Sequence, residues 1–454
     1  MTLNKNMFRE YDIRGVYQVD INEDVAYTIG LGYGSYLQVM FKESECLVGR
    51  DNRLSSPSLS NALIKGITDS GCNVTDLGLV TTPMLYTARY INAIPGIMVT
   101  ASHNPKEDNG FKFSYRYHAN TKGQEIYDLR DFIEKGNFLS GHGTIKTLDV
   151  VDDYIRQLHN TTLMGNKKLK VVIDPANGTT SDFIHQIHDT YPNLDIIYIN
   201  DISDGTFPNH HPDPNVEEYM EQLKEAVIHN NADIGISYDG DGDRLGVIDE
   251  KGNFILPDKL LIIIARFYAS ILKNKTVLSD VKCTKALDDE LVKLGLTPLT
   301  YRAGASYTQA KVYDDNIEIG SEYSGHMYFG DRLFPNSCGI YAGLRMLEIL
   351  SNSDKSISEL LEGINDYVSF PEERILCSDD KKFEIVAKIQ EYCISKNYQI
   401  NTIDGIRVTF EDGWALVRAS NTGPNLTTRY EAKTKIRLEE IAKEFNSLIS
   451  SFGI

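Results

Sequence analysis

The stretch "PGIMVTASHNP", Pro95–Pro105, reads as an apolar strand that runs straight into a short polar turn closed by proline. The same device comes twice more, in "ADIGISYDGDGDR", Ala232–Arg244, and in "IEIGSEYSGHMYF", Ile317–Phe329. Strand-like and helix-like segments alternate around each. "CLVGRD" from Cys46 reads as a strand, and Ser56 to Asp69 as a helix N-capped by serine. "KLKVVIDPANG" from Lys168 opens a second unit, with "LDIIYIND" from Leu194 as a further strand. "DKLLIIIARFYASIL" from Asp258 reads as a buried helix, and "KTVLSDVKCT" from Lys275 as the first strand of a third unit. Three apolar strands, each ending in a chemically loaded loop, predict three similar α/β units facing one cleft. In open α/β sheets ligands gather beyond the carboxyl ends of the strands.

The pattern changes near Pro371. From there the chain reads as a long amphipathic helix, a short strand pair around "DGIRVTFEDGWALVRAS" and a closing helix, which predicts a small α+β unit. A chain of 454 residues exceeds what one core serves, and about 100–200 residues per domain gives three or four domains. The boundaries expected are 1–150, 151–254, 255–368 and 369–454. A formal net charge of -18 argues against general affinity for nucleic acid or an anionic membrane, though a basic pocket can sit in an acidic surface. The six cysteines are scattered without a C-x-x-C pair, which reads as reduced core thiols rather than a disulfide frame or zinc site. The N-terminus lacks the apolar run of a signal peptide, and "LLIIIA" at 260–265 is too short to span a bilayer. A cytoplasmic protein is the expectation.

The loops carry the chemistry. In "DGDGDR", Asp239, Asp241 and Asp243 put three hard oxygen donors on one turn, which suits Mg²⁺ or Ca²⁺. The spacing mimics an EF-hand with Glu250 at its last position, but Arg244 stands where that loop needs glycine, and the flanks read as strands. "RASNTGPNLTTRYEA" offers Arg418, Ser420, Asn421, Thr422 and Arg429, a set of forks, hydroxyls and turn amides suited to phosphate. Alone it reads equally as a polar hairpin. In "SEYSGH", Glu322 and Ser324 lie two apart on one face of an extended segment, able to accept from and donate to vicinal sugar hydroxyls. His326 reads either as an acid–base group or as a packed ring. "FREYDIRG" sets Tyr11 and Arg14 beside Gly15. Ser102 lacks the G-x-S-x-G elbow of an α/β-hydrolase. Beside a metal loop and a phosphate loop, it reads as the carrier of a phosphoryl group.

"YDIRG", "TASHNP", "DGDGDR", "SEYSGH" and "RASNTGP", in that order, resemble the motifs of the α-D-phosphohexomutase family, closest to its bacterial phosphomannomutase/phosphoglucomutase branch. The resemblance covers essentially the whole chain. It implies four domains around a central cleft, three similar mixed-sheet α/β domains and a smaller C-terminal α+β domain. It implies that a hexose 6-phosphate and a hexose 1-phosphate of mannose or glucose interconvert through a phosphoserine and a hexose 1,6-bisphosphate, which also serves as activator. Ser102 would be that phosphoserine, positioned by His103. Asp239, Asp241 and Asp243 would hold Mg²⁺, with the Ser102 phosphate as a further ligand and Arg244 alongside. Glu322 and Ser324 would grip the sugar, and Arg418, Ser420, Asn421 and Thr422 the non-reacting phosphate. Tyr11, Arg14, Lys112 and His326 would line the reacting end.

Three departures from the family pattern stand out. Ser321 replaces a usual glycine before the sugar glutamate. Gly304-Ala305 replaces a common Gly-His, with Arg302 as the expected basic residue before it. Asn336 and Ser337 stand where acidic residues are common. A mutase for glucosamine phosphate or N-acetylglucosamine phosphate is the rival reading, and a silent sugar-phosphate-binding relative is the other. The partner expected is a hexose phosphate, with no nucleic acid or membrane, on a monomer or homodimer.

Overall fold

Each of the three apolar strands that end in a loaded loop is the third member of a four-strand pattern that recurs in three sheets. The computed structural model describes residues 3–420 and 423–454. In the first sheet Glu45–Arg50 pairs in parallel with Asn73–Leu79 and Gly96–Val99, and Gly96–Val99 turns back on Asp108–Phe113. In the second, Leu169–Asp174 pairs in parallel with Leu194–Tyr198 and Ile234–Tyr238, which turns back on Leu245–Asp249. In the third, Thr276–Asp280 pairs in parallel with Thr297–Tyr301 and Ile319–Ser321, which turns back on Met327–Phe329. The loaded loop of each unit is therefore the reversal between the third and fourth strands. Those third strands are buried along their whole lengths, the continuous apolar reading of strands covered on both faces.

The helix Ser56–Asp69 forms where expected, but its serine cap does not. The N-cap position is Ser55, and no side chain bonds the first-turn amides. Ser55 Oγ instead accepts from Asn109 Nδ2 at 2.7 Å, and Ser56 Oγ donates to Asp51. Both hydroxyls are engaged by residues of the first sheet and its loops. The units also share cores. The helix Gly339–Ser351, which comes after the third sheet in sequence, is buried throughout and packs on the strands of the second. Its first residue leaves no room for a side chain, since a Cβ on Gly339 would lie 2.2 Å from the Arg244 carbonyl oxygen.

The strand pair expected after Pro371 is larger than read. Val368–Ser369, Asn425–Ala432, Gly413–Ala419, Ile406–Phe410 and Gln399–Asn401 form one antiparallel sheet in that order, and Glu373–Leu376 also pairs with Asn425–Ala432. The segment "NLTTRYEA" looks polar, yet its Thr and Tyr residues fit a pleated surface. The helices Asp379–Ser395 and Lys435–Ser450 close a separate core around Ile389, Val408 and Phe445. All six cysteines are buried free thiols. Among the described residues no helix is long and apolar enough to cross a membrane.

Candidate active site

The reversal after Gly96–Val99 puts Ser102 in the left-handed region, with φ +53°. Its amide donates to Thr100 Oγ1 at 2.8 Å, and its hydroxyl donates to Asp239 Oδ2 at 2.7 Å across the seam with the second sheet. His103 Nδ1 lies 3.3 Å from the same hydroxyl. Burial, then the charges of Arg244, Arg14 and Lys112, push the His103 imidazolium well below its ordinary range, so the ring is neutral.

The acidic loop lies between strands, as its flanks predicted, and Glu250 takes no part in it. The Glu250 carboxylate caps residues 356–358 through Ser356 and Ser358. The carboxylate oxygens of Asp239, Asp241 and Asp243 lie within 4.8 Å of one another, all buried. Lys112 Nζ sits 2.7 Å from Asp241 Oδ2 and 2.8 Å from Asp243 Oδ2. Thr82 Oγ1 donates to Asp241 Oδ2 at 2.6 Å. Burial works against the Asp241 charge, but Lys112 and Thr82 hold its carboxyl below the usual range. Asp239 is pushed well up, first by burial and then by Asp243 and Asp241. Asp241 Oδ1 and Asp243 Oδ1 are buried without a hydrogen-bond partner among the described residues. Buried acceptors are rarely left so. Two orphaned carboxylate oxygens in an all-oxygen set fit a hard divalent cation.

Arg244 joins the second and third sheets. Its Nε donates to His326 Nε2 at 3.2 Å, and its Nη1 lies 3.8 Å from Asp213 Oδ1. Ser337 Oγ spends its only hydrogen on the Asp243 carbonyl at 2.7 Å, so it accepts from His326 Nδ1–H, also at 2.7 Å. That fixes the tautomer, with the lone pair at Nε2. Burial outweighs the neighbouring Asp243 and brings His326 down to about 4. Arg14 Nε pairs with Asp12 at 2.8 Å, and its Nη1 donates to the Ala101 carbonyl at the base of the serine loop.

In the loop after Ile319–Ser321, Glu322 is 1% exposed. Its Oε1 accepts from the Gly304 amide at 2.6 Å and from Thr308 Oγ1 at 3.0 Å, and its Oε2 from the Tyr328 hydroxyl at 3.2 Å. Burial, then the Asp280 charge, raises Glu322 to about 7. Asn215 Nδ2 donates to the Ser324 carbonyl at 2.6 Å. Gly304 adopts φ +132°, and a Cβ there would lie 2.6 Å from the Tyr11 ring. Arg302 lies beside them, 3.7 Å from the Tyr307 ring and 3.7 Å from Glu10.

Arg418 is paired with Asp404 at 3.0 Å, and Asp404 also accepts from the Ala303 amide at 3.0 Å. Ser420 is buried nearby, where its carbonyl accepts from Lys382 Nζ at 2.6 Å. Asn421 and Thr422 lie outside the described residues. Arg429 reaches toward the third domain. Its cross-strand partner Leu416 is two residues from Arg418, so the two arginines share a sheet face. Arg429 Nη1 donates to the Lys282 carbonyl and its guanidinium lies 3.8 Å from the Tyr323 ring, while its Nε is buried without a hydrogen-bond partner among the described residues. These contacts tie the fourth domain to the third.

Of the departures, Ala305 opens the helix Ala305–Asp314, and its carbonyl competes with Glu322 Oε2 for the single Tyr328 hydroxyl hydrogen. Ser321 Oγ bonds the Glu322 carbonyl. Neither side-chain amide atom of the buried Asn336 has a hydrogen-bond partner among the described residues, and nothing in the structure explains this. Sequence reading passed over Thr82, Asp213, Asn215, Asp404 and the tautomer-fixing role of Ser337. "NHHPDPN", Asn209–Asn215, carries a dense enough set of His, Asp and Pro to have been noticed.

Four family models match in series: the three α/β/α domains of phosphoglucomutase/phosphomannomutase at residues 5–139, 152–252 and 256–367, and its C-terminal domain at 372–448. The chain is 37% identical over 452 residues to a phosphomannomutase/phosphoglucomutase of Pseudomonas aeruginosa, covering 99% of this chain and 96% of that protein. It is 35% identical over 465 residues to a phosphoglucomutase of Neisseria gonorrhoeae, covering 99% and 98%. Among solved structures it resembles a phosphoglucomutase/phosphomannomutase family protein of Burkholderia thailandensis. The TM-score is 0.91 at 33% identity, covering 99% of this chain and 98% of the other.

Proposed function

The chain belongs to the phosphoglucomutase/phosphomannomutase family, and we propose that it moves a phosphoryl group between the C6 and C1 oxygens of mannose and glucose phosphates, with Ser102 as the lender. One observation carries this reading. The Ser102 hydroxyl rests 2.7 Å from Asp239, while Lys112 from the same domain spans Asp241 and Asp243. A nucleophile-bearing loop, an acidic cage and fixed cations thus meet from two domains. That is what phosphoryl transfer asks for, since it depends on positioning and charge neutralisation.

Asp239, Asp241 and Asp243 would hold Mg²⁺, which neutralises charge on a phosphoryl group when bound. The chain's own residues do the rest. Arg418 and Ser420 hold the non-reacting phosphate. Glu322 and Ser324 hold hydroxyls common to both sugars, so the site is indifferent to which epimer enters. The free sugar hydroxyl attacks phosphorus, the bond from phosphorus to Ser102 Oγ breaks, and the hydroxyl proton passes to a neutral imidazole. The His103 ring supplies one 3.3 Å from the Ser102 hydroxyl, whereas the His326 Nε2 lone pair is held by Arg244 Nε–H. Lys112, Arg14 and Arg244 offset the charge left on Ser102 Oγ. The bisphosphate formed turns in the cleft and returns its other phosphoryl to Ser102. A hexose 1,6-bisphosphate added from solution re-primes enzyme that has lost its phosphate.

The test is a coupled assay on mannose 1-phosphate, glucose 1-phosphate and glucosamine 1-phosphate, with Mg²⁺ and bisphosphate present. Turnover of the first two, with glucosamine 1-phosphate much slower, is expected. Turnover of glucosamine 1-phosphate alone, or of none, overturns the reading.

A further inference from the structure

Beneath the serine loop, at the seam of the first two sheets, lies a cation that the transfer chemistry does not use. Arg53 is 1% exposed. Its Nη1 donates to the carbonyls of Pro105 at 2.6 Å and Asp108 at 3.0 Å. Its Nη2 donates to those of Ser102 at 2.8 Å and Asn104 at 2.6 Å. Its Nε lies 3.2 Å from Asp51 Oδ2. One planar fork therefore gathers four carbonyls from a single seven-residue turn, 102 to 108.

The second domain closes over it. The Phe207 ring lies 5.1 Å from the guanidinium carbon. Gly205 brings its backbone so near that a Cβ would lie 2.3 Å from the Asn52 carbonyl oxygen and 2.8 Å from Arg53 Cα. Four carbonyl dipoles converging on one point repel one another unless a cation sits among them. With the carbonyls drawn inward, Ser102 keeps its left-handed φ, which a residue with a Cβ does not take freely. Its hydroxyl is left on the opposite side, against Asp239. A lysine cannot reproduce this, because a point ammonium has three donors and no planar fork.

We propose that Arg53 is a positioning residue for phosphoryl transfer: its guanidinium is the template that holds the 102–108 turn and so aims Ser102 Oγ at the acidic loop. The proposal rests on Ser102 as the phosphoryl carrier. It does not require Arg53 to touch substrate. A misplacement of about 1 Å at a reacting centre costs on the order of a hundredfold in rate, and the sugar and phosphate contacts lie elsewhere. Arg53→Lys should therefore lower kcat about a hundredfold with KM changed by less than about threefold.

Arg89→Lys is the control for a merely structural role. Arg89 is equally buried in the same domain and bonds Asn120, Arg116 and Ala119, away from the serine. At matched thermal midpoints, Arg89→Lys should keep kcat within about threefold. Single-turnover transfer from phosphorylated enzyme to glucose 1-phosphate should be slowed by Arg53→Lys and not by Arg89→Lys. Equal rates in a folded Arg53→Lys, or equal losses in both variants, overturn the proposal. If Arg53→Lys does not fold, Phe207→Leu replaces it, since losing the ring lets the guanidinium tilt. A fall of about tenfold in kcat at constant KM then supports the proposal, and an unchanged kcat overturns it. Peptide mass spectrometry of the parent protein separates the two readings. If Ser102 carries no phosphate even after incubation with glucose 1,6-bisphosphate and Mg²⁺, the functional reading fails whatever the Arg53 variants do.

Discussion

Replacing Glu322 by glutamine should stabilise the protein while crippling it. The carboxylate is 1% exposed, with only neutral donors, Gly304, Thr308 and Tyr328, bonded to it. Burial and Asp280 raise it from 4.5 to about 7. At about 1.4 kcal/mol per pH unit, that gap makes the buried charge a liability of about 3 kcal/mol. The sign depends on which state holds the proton. Below pH 4.5 both folded and unfolded chains carry it, and nothing is lost. Between 4.5 and about 7 the unfolded chain releases it while the folded chain keeps it, so stability falls with rising pH. Above about 7 the loss is complete. Glutamine has no charge to bury. Its carbonyl oxygen accepts from Gly304 and Thr308, and its amide donates to the Tyr328 oxygen. Thermal unfolding of parent and Glu322→Gln from pH 5 to pH 8.5 should show the variant's advantage growing with pH to about 3 kcal/mol. Meanwhile kcat/KM should fall about 10- to 150-fold on both glucose and mannose phosphates, because a hydrogen bond to a charged group contributes about 1.5–3 kcal/mol. The ratio of the two enzymes' kcat/KM should itself change through pH 7, where the substrate's own ionisation cancels. A stability gap that is flat with pH, or a variant less stable at pH 8, would refute the buried-charge argument.

Ser102→Ala should abolish turnover, and peptide mass spectrometry should find phosphate on Ser102 of the parent; full activity in the variant would remove the serine from the reaction. Chelation should stop turnover and Mg²⁺ restore it, while Asp241→Asn, which weakens both the cation site and the Lys112 pair, should need at least about tenfold more Mg²⁺; undiminished activity at low Mg²⁺ would count against the acidic cage. Mannose and glucose phosphates should have kcat/KM values within about a hundredfold, because a site that makes no bond at C2 discriminates by shape alone; a preference beyond about 10⁴-fold would mean some residue reads C2 directly.

The three strand-and-loop units, their order and the reaction class were legible because each is a local string. An apolar run marks a buried strand, and the residues after it carry the donor chemistry, so "TASHNP", "DGDGDR" and "SEYSGH" declare themselves without their neighbours. The fourth unit was read less well, since the threonines of Asn425–Ala432 hide a strand behind polar side chains.

Which groups meet across those units was decided only in three dimensions. Lys112 reaches carboxylates 129 and 131 positions away, and Thr82 reaches Asp241 across 159. Arg418 and Arg429 look alike in the sequence, but Arg418 pairs with Asp404 within the fourth domain while Arg429 reaches across to Lys282 and Tyr323 of the third. Arg53 reads as one more polar residue after a strand until the 102–108 turn folds its carbonyls around it. Local strings fix what a side chain can donate or accept. Sheet packing, which buries some of those groups and brings distant ones together, fixes which partner each one finds and at what pKa.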